Sequence, residues 1–522
     1  MFFFIGDLLS FYRYKIQKNV FSLKPLYLNI RDVSMMLRMF KYFFCVAAFF
    51  FCKAWSMNLP VEKDVQPLLQ TPKKILGLEI TEPEERVPAS IIAVEISALN
   101  LLVWGVDYYL LDKGYAHTGP DYWKRNFREG WKWDHNHWAV NFYGHPYHGS
   151  RYYAAARMGG YGFYGSLLWA AFGSASWEMF AETEYPSLND LITTSMGGAV
   201  FGEVFFRFSQ MLYGNGNESL WRRMASLGVE PVGYIQRKIY GNRYAQIENQ
   251  PLELDVFLGS GLRLGNDFRF DGKNTGELDE YWDDTHYMFG INAEYGRPYT
   301  EIKRPFDYFT VISAFAFGDD GSLAHLDITG KLNNIGVRGN GRWIDFATYL
   351  DYDTFYGDFA TVGTVSLGGG LDISFWLFSN LRFRMSNQLY WIVLGTTDMG
   401  YDDILKEKYP EYDPDMDSYQ YNTGVKYGLY LELGIWKNVR FCNRMNLEAL
   451  HTMPNSLPHY GAYGWDLLLF NYTWVDVYMT RRVSLGTRLD TYMKFAAYHS
   501  ELFEPMSRRM FALTLYVNVR IL

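Results

Sequence analysis

Alternating apolar and polar residues fill the C-terminal half of the chain. Between Val425 and Ile435 every second residue is Val, Tyr, Leu or Ile, and the residues between them are Lys, Gly, Tyr and Glu. After a turn at Lys437-Asn438 the alternation resumes from Val439 to Leu447. A two-residue period predicts strands with one apolar and one wet face. Long strands with an apolar outer face and a charged inner face are typical of a transmembrane barrel.

We count twelve such strands, and an even number is what single-chain bacterial barrels require. They are predicted to begin near Leu252, His286, Phe306, Leu323, Ile335, Ala360, Leu381, Tyr421, Val439, Tyr463, Val483 and Met510. Short connections are expected at 332–334, 379–380, 437–438 and 481–482, and long ones at 265–285 and 395–420. Because short turns of such barrels face the periplasm and long loops face the exterior, the alternation in length predicts the topology.

The predicted inward face carries charges of both signs. Its basic residues include Arg382, Arg384, Lys426, Arg440, Arg444, Arg488, Lys494 and Arg520, and its acidic residues include Glu294, Asp372, Glu432, Glu448 and Asp490. Such a lumen is either cross-linked by salt bridges and closed, or hydrated and conducting.

Composition favours a membrane barrel as well. Aromatic residues make up 19% of the chain, with 42 Tyr and 16 Trp, and such residues form the interfacial girdles of transmembrane barrels. The net charge of −8 argues against nucleic acid as a partner, because phosphate contacts need a basic surface. We therefore expect the bacterial outer membrane as the location, with outer-membrane lipid and the barrel-assembly machinery as partners.

Residues 35–56 are predicted to be a signal peptide. Arg38 and Lys41 precede an apolar run from Tyr42 to Cys52, which is too short to span a bilayer, and small residues follow it. Residues 1–34 lie upstream of that signal, so we interpret them as an extension from a translation start assigned too early. A short anchored tail is the alternative. Of the three cysteines, Cys442 alone lies outside the signal, which excludes an intramolecular disulfide in the mature chain.

Residues 57–250 are predicted to form a helical domain that precedes the barrel at 251–522. Three apolar segments, at 91–111, 154–180 and 189–213, lack the two-residue period. Ser187, three residues before Asp190, marks a helix start. The four-residue spacing of Gly198 and Gly202 predicts the close approach of another backbone. The expected fold class is α+β, with the helices docked on the periplasmic mouth of the barrel or in its lumen.

Polar residues concentrate between the first two apolar segments, at 131–153, where histidine is frequent. We predict His135, His137 and His148 as ligands of a divalent metal, since neutral imidazole is a common ligand. No HExxH or comparably spaced motif is present. An aromatic interfacial or packing segment is the alternative. No cofactor other than a divalent metal is expected.

Two acidic residues, Glu178 and Glu182, stand four apart and would share a helix face. Two carboxylates can share a proton or hold a cation, and His145 is a candidate general base beside them. Pairing of the carboxylates with Arg157 or Arg207 is the structural alternative.

Several of these residues belong to one pattern. It comprises Asn141-Phe142, His145-Pro146, Gly149-Ser150, Tyr152-Tyr153, Arg157, Glu178, Asp190 and Gly197-Gly198. The pattern resembles the bacterial domain of unknown function 3943 (DUF3943) over about residues 125–215. The barrel-like remainder is similar to what accompanies that domain in outer-membrane proteins of Gram-negative bacteria. The family has no established activity, so the resemblance implies a location and no mechanism.

Two functions fit these features. The leading hypothesis is a structural or gated-transport component of the envelope. The alternative is an enzyme that modifies outer-membrane lipid, with His145, Glu178, Glu182 and Asp190 as acid, base or metal-binding groups. Convergence of these polar atoms within about 5 Å would favour chemistry, and separate partners would favour a scaffold.

Overall fold

The structure, a computed structural model, describes residues 85–213, 219–241, 244, 250–270, 276–318, 321–339, 342–357, 359–378, 380–413, 416, 418–435, 438–500 and 502–521. The predicted extension at 1–34 and signal peptide at 35–56 lie outside the described residues. The described chain forms eight α-helices and then a closed barrel of twelve antiparallel strands. The expected fold class is confirmed.

Each strand of the barrel pairs with its neighbours in the sequence, and β1 pairs with β12 to close it. The strands are β1 Leu252–Phe270, β2 Gly276–Tyr295, β3 Phe309–Gly318, β4 Gly321–Gly339, β5 Arg342–Gly357, β6 Ala360–Phe378, β7 Leu381–Asp398, β8 Tyr419–Ile435, β9 Val439–Thr452, β10 Gly464–Tyr478, β11 Val483–Tyr498 and β12 Met506–Arg520. We call the end at which β1 begins and β12 ends the terminal end, and the opposite end the loop end. The predicted short turns at 379–380, 437–438 and 481–482 lie at the terminal end.

Two predicted connections are wrong. β4 does not turn at 332–334 but runs on to Gly339, so the predicted strand start at Ile335 lies inside it. The ladder between β4 and β5 skips one residue between Lys331 and Asn333. A bulge of this kind interrupts the alternation without ending the strand. The predicted long loop at 265–285 is mostly strand, because β1 and β2 extend into it from both sides.

The connection 296–308, between β2 and β3, is an unexpected long segment at the terminal end. Phe306 in this connection is fully buried and packs against Phe309. The carbonyl of Pro298 accepts a hydrogen bond from Lys331, which faces the lumen. The segment around Pro298 therefore turns into the lumen, while Phe306 packs on the outer face of the barrel against Phe309.

The inner face of the barrel carries paired charges. Seven of the predicted inward basic residues form salt bridges with carboxylates of the barrel, namely Arg384, Lys426, Arg440, Arg444, Arg488, Lys494 and Arg520. The predicted orientation of these strands is thereby confirmed.

The eight helices that precede the barrel are short to medium in length. They are α1 Ala89–Tyr109, α2 Pro120–Glu129, α3 His145–Met158, α4 Phe163–Phe180, α5 Leu188–Ile192, α6 Gly198–Tyr213, α7 Leu220–Val229 and α8 Pro231–Tyr240. Wider π-helical turns, Val140–Gly144 and Thr193–Gly197, lead into α3 and α6. A ninth helix, α9 Asp402–Lys408, lies in the connection between β7 and β8. The predicted apolar segment 154–180 is divided between α3 and α4 at Gly160, whose φ of 92° suits glycine.

The helices α3 and α6 approach each other closely at glycines. A Cβ atom on Gly198 would lie 2.6 Å from the carbonyl carbon of Gly149. A Cβ atom on Gly149 would lie 1.8 Å from the carbonyl oxygen of Thr194. The close approach predicted from the spacing of Gly198 and Gly202 is present, and the backbone that approaches Gly198 is that of α3.

The helices pack on the outer face of the barrel wall. On β5, Asp351 faces the lumen, where its carboxylate binds Lys426 at 2.8 Å. The next residue, Tyr352, points outward, and its hydroxyl donates to the main-chain carbonyl of Phe142. Phe201 of α6 packs on the same ring at a centroid distance of 5.1 Å. The expectation that the helices sit in the mouth or in the lumen is therefore wrong.

The contact between helices and barrel extends across seven strands, from β2 to β8. Outward side chains of these strands form one buried apolar cluster with the helices, and they include Tyr295, Phe309, Ile328, Tyr352, Val365, Leu394 and Tyr421. An alternating strand has an apolar outer face whether lipid or protein covers it, so the pattern alone did not reveal this contact.

Candidate functional site

His145, Glu178 and Asp190 meet inside the helical bundle. They come from the start of α3, the last turn of α4 and the short helix α5. One ligand atom of each residue lies within 4.8 Å of the other two. The Nε2 atom of His145 is 3.4 Å from Oδ1 of Asp190. Three of the four residues predicted as catalytic are thus brought together.

The helix cap at Ser187 positions both carboxylates. The hydroxyl of Ser187 accepts a hydrogen bond from the backbone N–H of Asp190 at 3.2 Å, as predicted from the spacing. The backbone N–H of Ser187 donates to Oε2 of Glu178 at 3.0 Å. One residue therefore fixes the start of α5 and holds the end of the Glu178 side chain beside it.

Neighbouring polar groups orient the other two members of the cluster. The Nδ1 atom of His145 lies 3.3 Å from the hydroxyl oxygen of Thr194, so the Nε2 atom is turned toward Asp190. The amide of Asn189 donates to Oδ1 of Asp190 at 2.9 Å. Partners of this kind fix the ring orientation of a histidine that acts as a ligand or base.

The cluster has little compensating positive charge. Glu178 and Asp190 are each only 2% exposed. Within the described part of the chain, no Lys or Arg forms a salt bridge with either carboxylate, and His145 is the basic group beside Asp190. Buried carboxylates without a cation are costly unless they bind a proton or a metal ion. The arrangement can therefore hold a proton or a divalent cation.

Two further acidic groups lie in loops next to the cluster. Burial, together with the carboxylate of Asp190, raises the pKa of Asp134 to about 7. Burial raises the pKa of Glu182 to about 8, and the carboxylate of Asp190 adds to that increase. Glu182 accepts a hydrogen bond from the indole N–H of Trp177 at 2.5 Å. Glu182 is not one of the three groups that converge, so its catalytic role stays a prediction.

The alternative that Arg157 and Arg207 neutralise these acids does not occur. Both guanidinium groups bind Glu203, Arg157 Nε at 2.8 Å and Arg207 Nε at 2.7 Å. Glu203, and not Glu178 or Glu182, is thus the carboxylate that pairs with both arginines.

The three histidines predicted as metal ligands contact different groups. His135 lies 3.1 Å from the carbonyl of Ser456, and the Nδ1 atom of His137 accepts the backbone N–H of Ala139 at 3.1 Å. The Nε2 atom of His148 is 2.9 Å from the hydroxyl of Tyr152. Their role as metal ligands stays a prediction.

A second cluster of one histidine and two aspartates lies in the barrel lumen, and it was not predicted from the sequence. Ligand atoms of His325, Asp327 and Asp353 lie within 4.8 Å of one another. Asp353 is bound by Lys426 at 2.7 Å, and Asp327 is bound by Arg444. These carboxylates already have cationic partners, unlike those of the bundle.

The position of the bundle cluster is set by Asn141, another residue whose role the sequence did not reveal. Its amide donates to the hydroxyls of Tyr419 at 2.7 Å and Tyr421 at 2.8 Å on the outer face of β8. β8 begins at Tyr419, so the cluster lies toward the loop end of the barrel. On the same helical segment as His145, Val140 and Tyr147 are about half exposed. The helical segment that carries His145 therefore has exposed apolar side chains close to the cluster in sequence.

Comparison with known proteins covers the two parts of the chain separately. Residues 130–232 match the domain of unknown function DUF3943. This confirms the resemblance and extends it to the start of α8. His145, Glu178 and Asp190 all lie in the DUF3943 segment. No curated protein matches the chain significantly.

The barrel is similar in fold to solved outer-membrane proteins. An outer membrane channel from Pseudomonas putida F1 is 9% identical with a TM-score of 0.29, and the match covers 52% of this chain and 97% of that one. The outer membrane channel DcaP of Acinetobacter baumannii is 9% identical with a TM-score of 0.22, over 52% and 97%. The outer membrane protease OmpT from Escherichia coli is 11% identical with a TM-score of 0.18, over 53% and 99%.

Proposed function

We propose that the protein is an integral outer-membrane protein with a structural role, in which the barrel and the DUF3943 bundle lie side by side in the bilayer. The observation that carries this proposal is the exposure of large apolar side chains on the bundle as well as on the barrel. On the barrel, Phe346 and Leu515 point outward and are each 66% exposed. On the bundle, Leu101 of α1 is 65% exposed, and Leu168 of α4 is also exposed.

The helix α1 supports the same placement. Among the described helices it alone is long and apolar enough to cross a membrane, with a mean hydropathy of 1.8. Only 11% of its apolar window is buried in the protein. The charged residues of α6, Glu203 and Arg207, are turned inward instead and are fully buried. A soluble bundle has the opposite arrangement, with apolar residues inside and charges outside.

The lumen favours a structural role over an open pore. Lys426 binds Asp351 at 2.8 Å and Asp353 at 2.7 Å, and Glu448 lies 3.6 Å away. Phe355 packs against Phe470 at a centroid distance of 5.1 Å, on the loop side of these charges. A layer of salt bridges and a layer of aromatic rings thus fill the barrel in succession.

Site-directed spin labelling tests the placement of the bundle. Cys442 is the one cysteine of the described residues, and Cys45 and Cys52 lie in the predicted signal peptide, so Cys442→Ser provides the background for Leu101→Cys on α1 and Asp121→Cys on α2. Asp121 has 99% of its side chain exposed. In reconstituted vesicles we expect the label at position 101 to be relaxed by oxygen and protected from a water-soluble nickel complex, and the label at 121 to behave in the opposite way. Equal access of the nickel complex to both labels would refute the bilayer placement.

Planar-bilayer recording tests the closed lumen. The reconstituted protein is expected to give no unitary currents, since two layers of side chains fill the pore. Regular conductance steps from properly folded protein would instead support the gated-transport version of the hypothesis.

We also propose, as a second candidate, that the bundle hydrolyses an ester of an adjacent lipid at a divalent cation held by His145, Glu178 and Asp190. The convergence of their ligand atoms within 4.8 Å, with no Lys or Arg of the described residues paired to either carboxylate, supports it. A divalent cation held by these three side chains would lower the pKa of a water molecule and so supply a nucleophile. The water oxygen adds to the acyl carbon, the ester C–O bond breaks, and the proton passes to the leaving alcohol oxygen.

Metal content and lipid turnover test this second candidate together. Purified protein is reconstituted with outer-membrane lipid, and bound metal and released fatty acid are measured by mass spectrometry. Glu178→Gln and Asp190→Asn should each lower metal occupancy at least about tenfold and abolish release, since both remove a ligand. Glu129→Gln, on the surface of α2, is the matched control and should match the wild type. A metal-free wild type that releases no fatty acid would show that the cluster only packs the bundle.

A further inference from the structure

A cavity of about 180 Å³ lies in the lumen at the terminal end of the barrel. Its lining includes Glu253 and Asp255 at the start of β1 and Asn518 near the end of β12. Phe257 and Tyr472 bound it toward the aromatic layer. The side chain of Glu253 is 56% exposed, so the cavity reaches the rim of the barrel. We call it the lumenal cavity.

The charges that line the lumenal cavity are balanced. Five lining residues are acidic and five are basic. Three pairs lie within the lining, namely Arg440 with Asp476 at 2.9 Å, Arg384 with Glu294 at 3.2 Å, and Lys331 with Asp372. The other lining charges pair with residues just outside it, as Arg444 does with Asp327. A ligand of either charge would have to displace one of these partners, which is costly in a buried site. The lining therefore disfavours both anions and cations.

Neutral polar groups of the lining are left without partners. The hydroxyl of Tyr472 and the amide oxygens of Asn518 and Asn292 form no hydrogen bond within the described chain. Tyr472 is 3% exposed and Asn518 is 5% exposed, and all three residues line the lumenal cavity. Buried polar groups are normally hydrogen-bonded, so this donor and these acceptors are suited to a ligand that carries both kinds of group.

We infer that the lumenal cavity binds a neutral, hydroxyl-rich ring compound of monosaccharide size. Each hydroxyl of a sugar both donates and accepts, which matches the Tyr472 hydroxyl and the two amide oxygens. Trp474 and Tyr430 add aromatic side chains to the lining. A cavity of about 150 Å³ accommodates benzene, so the volume here suits one six-membered ring. This inference does not depend on the chemistry proposed for the bundle.

The experiment measures binding of three probes to the purified full-length protein in detergent by titration calorimetry. Glucose is the neutral sugar, glucuronate adds a carboxylate to the same ring, and cyclohexanol keeps a ring with a single hydroxyl. Glucose is expected to bind saturably, and both comparison probes at least about tenfold more weakly, because one lost buried hydrogen bond or one unpaired charge has an effect of that order.

Two tyrosine variants locate the site. Tyr472→Phe keeps the ring and removes the unpartnered hydroxyl, and it should weaken glucose binding about tenfold. Tyr390→Phe is the matched control, because the Tyr390 hydroxyl is equally buried and unpartnered but does not line the lumenal cavity. It should leave binding unchanged. The inference is overturned if glucose shows no saturable binding up to about 10 mM, if cyclohexanol or glucuronate binds equally well, or if the two variants behave alike.

Discussion

Replacing Glu203 with glutamine should loosen the bundle more than any other conservative change in it. Glu203 of α6 is fully buried and binds Arg157 of α3 at 2.8 Å and Arg207 at 2.7 Å. Arg207 continues to Asp307 of the barrel connection 296–308 at 2.8 Å. Two negative and two positive charges thus form a neutral chain from α3 to the barrel. Glu203→Gln leaves it with a net positive charge.

The size of the effect follows from burial. Breaking a buried ion pair by removing one partner costs about 3–5 kcal/mol, because the remaining charge stays buried. Glu203 also accepts the hydroxyl of Tyr153 at 2.7 Å, and Gln keeps an oxygen that can accept that bond. The loss is therefore electrostatic. Asp307 is 15% exposed at its side chain and Arg207 keeps Glu203 as a partner, so Asp307→Asn should destabilise the bundle less than Glu203→Gln does.

Protease resistance of the bundle and heat-dependent gel migration of the barrel report on the two parts separately. With Glu203→Gln the bundle should become cleavable at a denaturant concentration well below that of the wild type, while the barrel keeps its folded migration. Asp307→Asn should lie between the two. Glu129→Gln, at an exposed pair on α2, should not shift either signal. Equal resistance of Glu203→Gln and wild type would show that water solvates this cluster, and the burial argument would fail.

Two other predictions concern packing of the bundle. Asn141→Leu removes the amide that donates to two tyrosine hydroxyls on β8, so it should weaken docking of the bundle by about 1–3 kcal/mol. The bundle should then be cleaved at a lower denaturant concentration than in the wild type. Unchanged protease resistance would show that apolar contacts alone hold the bundle on the barrel. Gly149→Ala places a methyl group 1.8 Å from the Thr194 carbonyl and should destabilise the α3–α6 contact by about 1–3 kcal/mol in the same assay. Gly144→Ala, whose nearest contact would be Val140 at 3.6 Å, is its matched control and should be tolerated; similar losses in both would contradict the close-packing explanation.

The barrel was predictable because each strand has one face toward the lumen and one toward the outside, so apolar and polar residues alternate along its sequence. Alternation determines which side chains share a face, and an even number of strands is typical of a closed single-chain barrel. The errors occur where alternation stops carrying information. The bulge beside Lys331 resembles a turn in the sequence, and residues 265–285 are rich in Gly, Asp, Asn and Glu, a composition typical of a loop.

The position of the bundle was not predictable from the pattern of the strands. Tyr352 lies under helices and Leu515 is exposed, yet both occupy outward positions of alternating strands. The candidate site was partly predictable, because Glu178 and Asp190 are acidic residues in otherwise apolar helices. Their approach to His145 depends on the turn between α4 and α5 and on the Ser187 cap, which bring together residues more than thirty positions apart. Thr194 gave no signal, and Asn141 stood out only as part of the family pattern, with no role assigned, since single polar residues near helix ends are common.

The buried charges of the bundle also bear on how it reaches the outer membrane. Glu178 in α4 and Glu203 in α6 lower the apolar character of these segments, so the translocon is expected to pass them instead of retaining them in the inner membrane. Once across, a charge in each helix needs a partner before the helix can enter lipid. For α6 that partner chain runs through Arg207 to Asp307, which belongs to the barrel. Arg207 therefore completes its charge pairing only when the connection 296–308 lies beside α6, so we expect the DUF3943 segment to finish folding in contact with the barrel.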